Sequence, residues 1–177
     1  SFTAECDIVI PQFPSTYDYL AYQTLTWNTS SVFGIRTANN NTGIGCYALT
    51  ANTTGTDNVA LGVYSLSVNT TGNRNLADGF NALKAATTGS DNVAVGSRAM
   101  IATTTSSNNS ALGSDALLAN TTGGNNTAIG YQTLANSTTA SSNTAVGFKA
   151  LTANTSGTNN VAIGAPAGVA ITSGSQN

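Results

Sequence analysis

Small and large side chains alternate in a short stretch that recurs along most of the chain. The stretch reads Asn-x-Ala-φ-Gly, where φ is usually Ile, Leu or Val, and its final glycine returns every 17 residues. These repeat glycines are Gly45, Gly62, Gly79, Gly96, Gly113, Gly130, Gly147 and Gly164. Alternation with a period of two is typical of a β-strand. The sequence therefore predicts one short strand in each of eight repeats.

The remainder of each repeat has the residues of tight turns. Leucine or methionine stands four residues after the repeat glycine in the first seven repeats, and threonine stands eight residues after it in all eight. This threonine lies in a segment that reads Asn-Thr-Thr-Gly at 52–55, 69–72 and 120–123 and a variant of it in the other repeats, and these residue types favour turns. We expect a second short strand at the Ala-Leu step. The composition is too rich in Gly, Asn and Thr for helical repeats, so the predicted fold is an all-β parallel β-solenoid of eight 17-residue coils.

Stacked coils lie about 4.8 Å apart, so each repeat position becomes a ladder along the solenoid. Alanine and glycine are expected to fill a narrow interior, and the leucines to add one bulky layer. Amide side chains can hydrogen-bond from coil to coil in such an arrangement. The predicted structural ladder comprises the asparagines Asn41, Asn58, Asn75, Asn92, Asn109, Asn126, Asn143 and Asn160.

The φ positions predict an apolar stripe on the outer side of the strands. One thin solenoid buries little apolar area per residue, so association of identical chains is an attractive way to stabilise it. We therefore predict a homotrimer whose chain interface is formed by Ile44, Leu61, Val95, Leu112, Ile129, Val146 and Ile163. Asp78 replaces an apolar residue in this stripe. Three copies of Asp78 meeting near an axis would be a weak candidate for holding a cation; the alternative is a solvated carboxylate.

The repeats resemble those of a known family. Segments such as Asn126-Thr-Ala-Ile-Gly130 and Asn160-Val-Ala-Ile-Gly164 resemble the Asn-x-Ala-φ-Gly repeats of trimeric autotransporter adhesin heads and of phage and viral fibres. The resemblance extends from Asn41 to Gly164 and implies a left-handed parallel β-roll, three of which pack around one axis. Repeats in adhesin heads are commonly shorter, and the extra residues here fall at the Asn-Thr-Thr-Gly turn.

Residues 1–36 do not follow the repeat and are interpreted as a separate N-terminal module before a repeat domain over 37–177. The module is rich in aromatic residues, and Ser15-Thr-Tyr-Asp18 has the pattern of a helix N-terminus. This predicts a short helix over 16–26. The module is either a cap over the open edge of the first coil or a segment that docks on a virion or cell-surface attachment protein, and one segment could do both.

Composition excludes several classes of function. The chain has five Lys and Arg residues, seven acidic residues and no histidine, so it lacks the cationic cluster that binding to nucleic acid needs. Histidine-based catalytic triads are excluded, and no apolar run is long enough for membrane insertion. Cys6 and Cys46 are too few for a disulfide framework or a zinc site, and a bridge between them is as plausible as two free thiols. No cofactor and no catalytic residue is expected.

Some charged residues share a repeat position. Asp57, Arg74 and Asp91 occupy one position in three successive repeats, and Asp115 follows Arg98 one repeat later. Arg74 between two acids predicts an ion ladder on the surface in which both carboxylates stay ionised, whereas the rival interpretation is a pair of catalytic carboxylates in a glycosidase.

The predicted function is a structural fibre or adhesin segment, a stiff rod on a virion or cell surface or in the extracellular space, and not an enzyme. Outward aromatic residues form a candidate receptor site, for example for a glycan, at Tyr47, Tyr64 and Tyr131. The alternative is an ice-binding β-solenoid that uses its row of threonines. The Asn-x-Ser/Thr sequences at Asn52, Asn69 and Asn120 are turn residues first and glycan acceptors only in a eukaryotic secretory route.

Overall fold

The computed structural model describes residues 40–176, together with the backbone of two strands nearer the N-terminus, β1 (Gln23–Thr26) and β2 (Val32–Arg36). Eight strands follow in the repeats. They are β3 (Thr42–Cys46), β4 (Val59–Leu61), β5 (Leu76–Asp78), β6 (Val93–Val95), β7 (Ser110–Leu112), β8 (Thr127–Ile129), β9 (Thr144–Val146) and β10 (Val161–Ile163).

All ten strands form one sheet in chain order, and β3 to β10 are parallel. Each residue pairs with the residue 17 positions further on, as Ala60 does with Ala77. Parallel neighbours that follow each other directly in the chain require the chain to make one full turn between them. The prediction of an all-β parallel β-solenoid is therefore confirmed, and no helix occurs in the described part of the chain.

The two strands before the repeats extend the sheet at its first edge. Strand β1 pairs with β2, and β2 pairs with β3, both in the antiparallel sense. Residues 23–26 are therefore a strand, and the helix predicted over 16–26 is wrong for these four residues; residues 16–22 lie outside the described part. A capping signal marks only where a helix could start, whereas Gln23-Thr-Leu-Thr26 has two β-branched threonines that favour a strand. The cap and docking roles of residues 1–36 stay predictions.

The core is a thin column of small side chains with one large layer. The strand residue two positions before each repeat glycine faces inward, and from β4 to β9 it is an alanine with no exposed surface. The large layer consists of the predicted leucines and one methionine, which are almost completely buried. They are Leu49, Leu66, Leu83, Met100, Leu117, Leu134 and Leu151.

The Ala-Leu step is a corner of the coil, so the predicted second strand is wrong. The leucines have positive φ angles, for example 47° at Leu66 and 49° at Leu83, a conformation that residues other than glycine rarely adopt. The Leu66 amide still donates to the carbonyl of Ala82 in the next coil at 3.0 Å. We attribute the persistence of this strained conformation to burial of the leucine side chain, which the turn directs into the core.

The asparagine ladder joins the coils through buried amides. The Oδ1 atom of Asn75 accepts from the backbone N–H and the Nδ2 of Asn92, at 3.0 and 3.1 Å. Its own Nδ2 donates to Oδ1 of Asn58 at 3.1 Å and to the carbonyl of Gly89 at 2.8 Å. The backbone link recurs at all seven steps from Asn41 to Asn160. Each amide therefore bonds to both neighbouring coils and braces its own.

The repeat glycine allows backbones of neighbouring coils to approach closely. A Cβ atom at Gly96, whose φ is +128°, would lie 2.6 Å from the carbonyl carbon of Gly113. Only a residue without Cβ fits both this φ and this distance. Gly164 has no described coil beyond it, and a Cβ atom placed there would lie 4.0 Å from its nearest neighbour, the Cβ of Ala167. The close approach of the next coil, as well as the positive φ angle, therefore requires glycine at the repeat glycine positions.

The eighth repeat closes its core differently. Gly168 stands where earlier repeats have leucine, and its missing side chain leaves room that Leu151 and Ile171 approach. Ile171 and Ala167 pack against the end of the core. The backbone N–H of Lys149 donates to the carbonyl of Tyr131 in the preceding coil at 2.9 Å. Pro166 occupies the same position in the eighth repeat and has no N–H to donate. The last turn therefore departs from the regular ladder in both its core and its hydrogen bonds.

A second column of buried turn residues is interrupted at Ala86. The Nδ2 atom of Asn69 donates to Oδ1 of Asn52, one coil earlier, at 2.8 Å, but Oδ1 of Asn69 has no hydrogen-bond partner. The matching position in the next coil holds Ala86, which is fully buried and has no amide to donate. The next coil therefore offers this oxygen no side-chain amide.

Replacing Ala86 with Asn is expected to stabilise the protein by about 1 kcal/mol, the net contribution of a typical hydrogen bond. The new amide would donate to Oδ1 of Asn69 and accept from the N–H of Gly89, as Asn120 accepts from Gly123 at 3.1 Å. Denaturant unfolding measures the change. Ala86→Asp is the matched control: it has the same shape without the donor and should destabilise. An equal effect of the two variants would contradict this account of the column.

Candidate functional site

The outer side of the parallel sheet is a continuous surface with a distinctive composition. In each repeat two strand residues face outward, one on each side of the inward residue two positions before the repeat glycine, as Leu76 and Asp78 flank Ala77. We call these sixteen side chains the strand face. One of its two columns holds the predicted interface residues Ile44, Leu61, Val95, Leu112, Ile129, Val146 and Ile163, with Asp78 in the third place; the other holds Thr42, Val59, Leu76, Val93, Ser110, Thr127, Thr144 and Val161.

The strand face is apolar and runs the length of the repeat array. Eleven of its sixteen side chains are Val, Ile or Leu, and none is Lys or Arg. Seven steps of about 4.8 Å give it a length of about 34 Å. Exposure is intermediate within the array, 40% at Ile129, and reaches 72% at Ile163 in the last strand. Soluble monomers rarely leave so long an apolar surface uncovered.

Asp78 is exposed and interrupts the column of interface residues. Its neighbours in the sheet register are Leu61 and Val95, which bring no charge to it. Within residues 40–176 no three His, Cys, Asp or Glu side chains are grouped so that they could hold a metal ion. A cation at Asp78 would therefore need carboxylates from other copies of the chain, and that role stays a hypothesis.

Four of the outward aromatic residues form two stacked pairs. The rings of Tyr47 and Tyr64 lie 4.8 Å apart and are inclined by 8°, and those of Tyr131 and Phe148 lie 5.7 Å apart. Stacking along the solenoid directs the ring faces towards neighbouring coils, because the two members of a pair come from successive repeats. Nζ of Lys84, from the coil after Tyr64, lies 5.0 Å from the Tyr64 ring centre, close enough for a cation–π interaction.

These contacts limit what the aromatic residues offer a ligand. Stacking on a sugar needs an open ring face, whereas Tyr64 has Tyr47 in the preceding coil and Lys84 in the following one. Tyr131 is stacked against Phe148 in the coil after it. The exposed edges of the predicted receptor residues remain accessible, with Tyr131 at 45% exposure. Glycan binding at Tyr47, Tyr64 and Tyr131 stays a prediction.

Arg74 pairs with one of the two acids at its repeat position. Its guanidinium donates to both carboxylate oxygens of Asp91, at 2.6 and 2.8 Å. This pairing holds the pKa of Asp91 below its usual range. Asp57 instead accepts from the Thr56 hydroxyl at 2.8 Å and the Asn40 amide at 3.0 Å, and these bonds, with a smaller effect of Arg74, lower its pKa. Both carboxylates thus favour the ionised form, as the ion-ladder interpretation requires.

A second ion pair joins Arg98 and Asp115 at 2.8 Å. The two residues occupy one repeat position in successive coils, as the sequence suggested. The Asp115 side chain is buried while that of Arg98 is half-exposed. The pair therefore covers a carboxylate that turns inward from a position where Tyr47 and Tyr64 are exposed.

The predicted row of threonines is a hydrogen-bonded ladder. Each hydroxyl donates to the carbonyl of the threonine one coil further on, from Thr53 to Thr70 at 2.8 Å and so on along seven steps. The hydroxyl hydrogens are thus directed along the array and away from solvent. The residue after each of these threonines is exposed in every repeat; this outer row is Thr54, Thr71, Thr88, Thr105, Thr122, Thr139, Ser156 and Ser173.

Another polar ladder was missed by the sequence analysis. The backbone N–H of Thr56 donates to Oδ1 of Asn73 at 2.8 Å, and that of Asn73 donates to Oγ of Ser90 at 3.0 Å. The same link joins Ser90 to Ser107 at 3.0 Å. The available signal was a hydrogen-bonding side chain eleven residues after the repeat glycine in every repeat except the one with Gly124. Because Asn, Ser and Thr are also common in turns, this pattern was not recognised as a ladder.

No helix in the part of the chain that the structure describes has the length and apolar character needed to cross a bilayer.

Arg74→Gln is expected to raise the pKa of Asp91 towards that of an ordinary aspartate, about 3.9. The pKa of Asp57 should change less, because Thr56 and Asn40 are its main stabilising partners. A carboxyl group whose pKa is lower in the folded state than in the unfolded state stabilises the fold at pH values above its unfolded-state pKa. This stabilisation is lost as the pH falls through the folded-state pKa. Carboxyl NMR titration of both proteins measures the shifts. An equal rise at Asp57 and Asp91 would contradict this assignment of partners.

Comparison with known proteins leaves the chain without an assigned family: no family model, no curated protein and no solved structure matches it.

Proposed function

We propose that this chain is a segment of a structural fibre or adhesin, a stiff rod in which three copies associate through their strand faces. The supporting observation is the strand face itself, an apolar surface without Lys or Arg that extends along all eight parallel strands. In this proposal the rod is extracellular or lies on a virion surface. Its role is mechanical, as a spacer that projects or assembles.

The thin core is the physical reason for association. Each regular coil buries one large side chain, such as Leu83, beside alanines, so the apolar area buried per residue is small. Burial of apolar surface is the main favourable term in folding and in association. Covering the strand faces of identical chains adds burial without lengthening the repeat, and a face without Lys or Arg keeps the desolvation cost low.

The ladders are the physical reason for stiffness. Successive coils are joined by strand hydrogen bonds, by the asparagine amides and by the threonine hydroxyls. Bending the rod would lengthen bonds in several ladders at once, on different sides of the coil. Such arrays gain stability mainly from contacts between neighbouring repeats, so additional coils extend the rod without changing its cross-section.

Two attachment roles complete the proposal. Residues 1–36 would fix the rod to a virion or cell-surface attachment protein, and the exposed aromatic edges at Tyr47, Tyr64 and Tyr131 would contact a receptor such as a glycan. The first role is consistent with the antiparallel pairing of β2 on β3, which joins this segment to the first coil. The second is consistent with the exposure of Tyr131.

Ice binding is the alternative proposal. It is favoured by the outer row of eight exposed hydroxyl side chains, which repeats at the coil spacing of about 4.8 Å. The neighbouring threonine ladder does not add a second row of free donors, because its hydroxyls donate to backbone carbonyls. Thermal hysteresis of a protein solution distinguishes this alternative from the fibre.

Light scattering coupled to size exclusion should give three times the chain mass of 17.7 kDa, or a polymer of such units. Ile129→Lys places a charge in the strand face and should shift the mass towards one chain, because burying an unpaired charge is costly. Thr122→Lys, on the exposed outer row, is the matched control and should leave the mass unchanged. A wild-type protein that is a stable monomer at all concentrations would contradict the trimer.

A further inference from the structure

Glycan-acceptor sequences occur at three structurally different places in this array, one of which is the exposed position just before the asparagine ladder, at Asn40, Asn108 and Asn125. Asn69, Asn120 and Asn154 begin Asn-Thr-Thr or Asn-Thr-Ser sequences and are fully buried at the turn. Asn136 begins an Asn-Ser-Thr sequence but stands one position earlier in its repeat, where it is exposed. A shift of one residue thus moves the acceptor asparagine from the interior to the surface.

The buried acceptors use their amides to form the turn. Nδ2 of Asn120 donates to the carbonyl of Gly123 at 2.9 Å and to Oγ of Ser106 at 3.2 Å. Nδ2 of Asn69 donates to Oδ1 of Asn52 at 2.8 Å and to the carbonyl of Gly72 at 3.1 Å. An asparagine amide has two N–H donors, so both hydrogens of each group are engaged.

Asparagine-linked glycosylation would remove one of these donors. In the transfer reaction, Nδ2 attacks the anomeric carbon of a lipid-diphosphate-linked oligosaccharide and the new N–C bond replaces one N–H bond. The C–O bond to the diphosphate breaks, the lipid diphosphate leaves with the bonding electrons, and the amide proton passes to a base. The product carries a bulky sugar at a position where the next coil lies about 4.8 Å away.

We infer that coil stacking and asparagine-linked glycosylation at Asn69, Asn120 and Asn154 exclude each other. A sugar on Nδ2 has no space between stacked coils, and the buried carbonyl it displaces, that of Gly123 for Asn120, keeps only its bond from Nδ2 of Asn109. The modified chain therefore cannot form the regular solenoid through these repeats. The array folds only where no asparagine-linked glycan has been added to these turns.

Asn136 shows the opposite behaviour. Ser137 takes the buried turn position in its place and donates to the carbonyl of Asn154 at 3.0 Å. The same position as Asn136 holds Ala119 and Ala153 in the neighbouring coils, which leaves space beside the exposed amide. A glycan on Asn136 would project into solvent without touching a ladder. This assignment does not depend on the proposed fibre function.

The test is secretion of the chain from eukaryotic cells, followed by separation of protease-resistant folded protein from misfolded protein. Glycopeptide mass spectrometry then measures occupancy in each fraction. We expect glycans in the folded fraction only at exposed acceptors, Asn136 among them, and glycans at Asn69, Asn120 and Asn154 only in the misfolded fraction. Glycans at any of these three buried sites in the folded fraction would overturn the inference.

A matched variant removes the buried acceptors without touching their amides. Thr54→Ala, Thr71→Ala, Thr122→Ala and Ser156→Ala change exposed hydroxyl residues that complete the acceptor sequences of the four turn asparagines, Asn52 included. The combined variant should raise the yield of folded secreted protein several-fold. Bacterially produced wild type and variant should melt at similar temperatures. If the wild type carries turn glycans and the variant gives no more folded protein, the inference is wrong.

Discussion

The structure depends on one buried hydrogen-bond arrangement, in which an asparagine side chain bonds to the asparagine of the next coil. The Oδ1 atom of Asn92 accepts from both the backbone N–H and the Nδ2 of Asn109. Because the amide is uncharged and has two donors and an acceptor, it can be buried and linked on both sides without the desolvation cost of an ion. Its fixed geometry requires each coil to return to the same place after 17 residues, which explains a repeat length without insertions.

Several features of the molecule follow from that requirement. Backbones held this close leave room for alanine or glycine in the strand interior, and the repeat glycines fit where a Cβ would meet the next coil. A narrow interior in turn leaves the apolar residues of the strands facing outward, which creates the strand face. The surface proposed for association is therefore a consequence of the ladder, since a thicker core would have buried those side chains.

The sequence predicts those parts of the fold in which neighbouring coils contribute identical residues. The asparagines, the buried leucines and the alternating strands could be identified because a ladder requires the same residue at every step. The left-handed corners at residues such as Leu66 could not, because leucine is ordinarily disfavoured there and tertiary burial overrides the local preference. The ladder through Asn73 and Ser90 was hidden because Asn, Ser and Thr are also common in turns. At the candidate site, the sequence identified the outward residues of the strand face, whereas the side chains covering Tyr64 depend on three coils being stacked.

The most direct measurement is the free energy of unfolding of Asn75→Ala compared with that of Thr71→Ala. Asn75→Ala removes the acceptor for Asn92 and the donor to Gly89, so we expect it to destabilise the protein by about 2–4 kcal/mol, since each buried group left unpaired costs about 1–3 kcal/mol. Thr71 is exposed, and its substitution should change stability by less than about 0.5 kcal/mol. Equal effects of the two substitutions would show that the asparagine ladder does not hold the coils together.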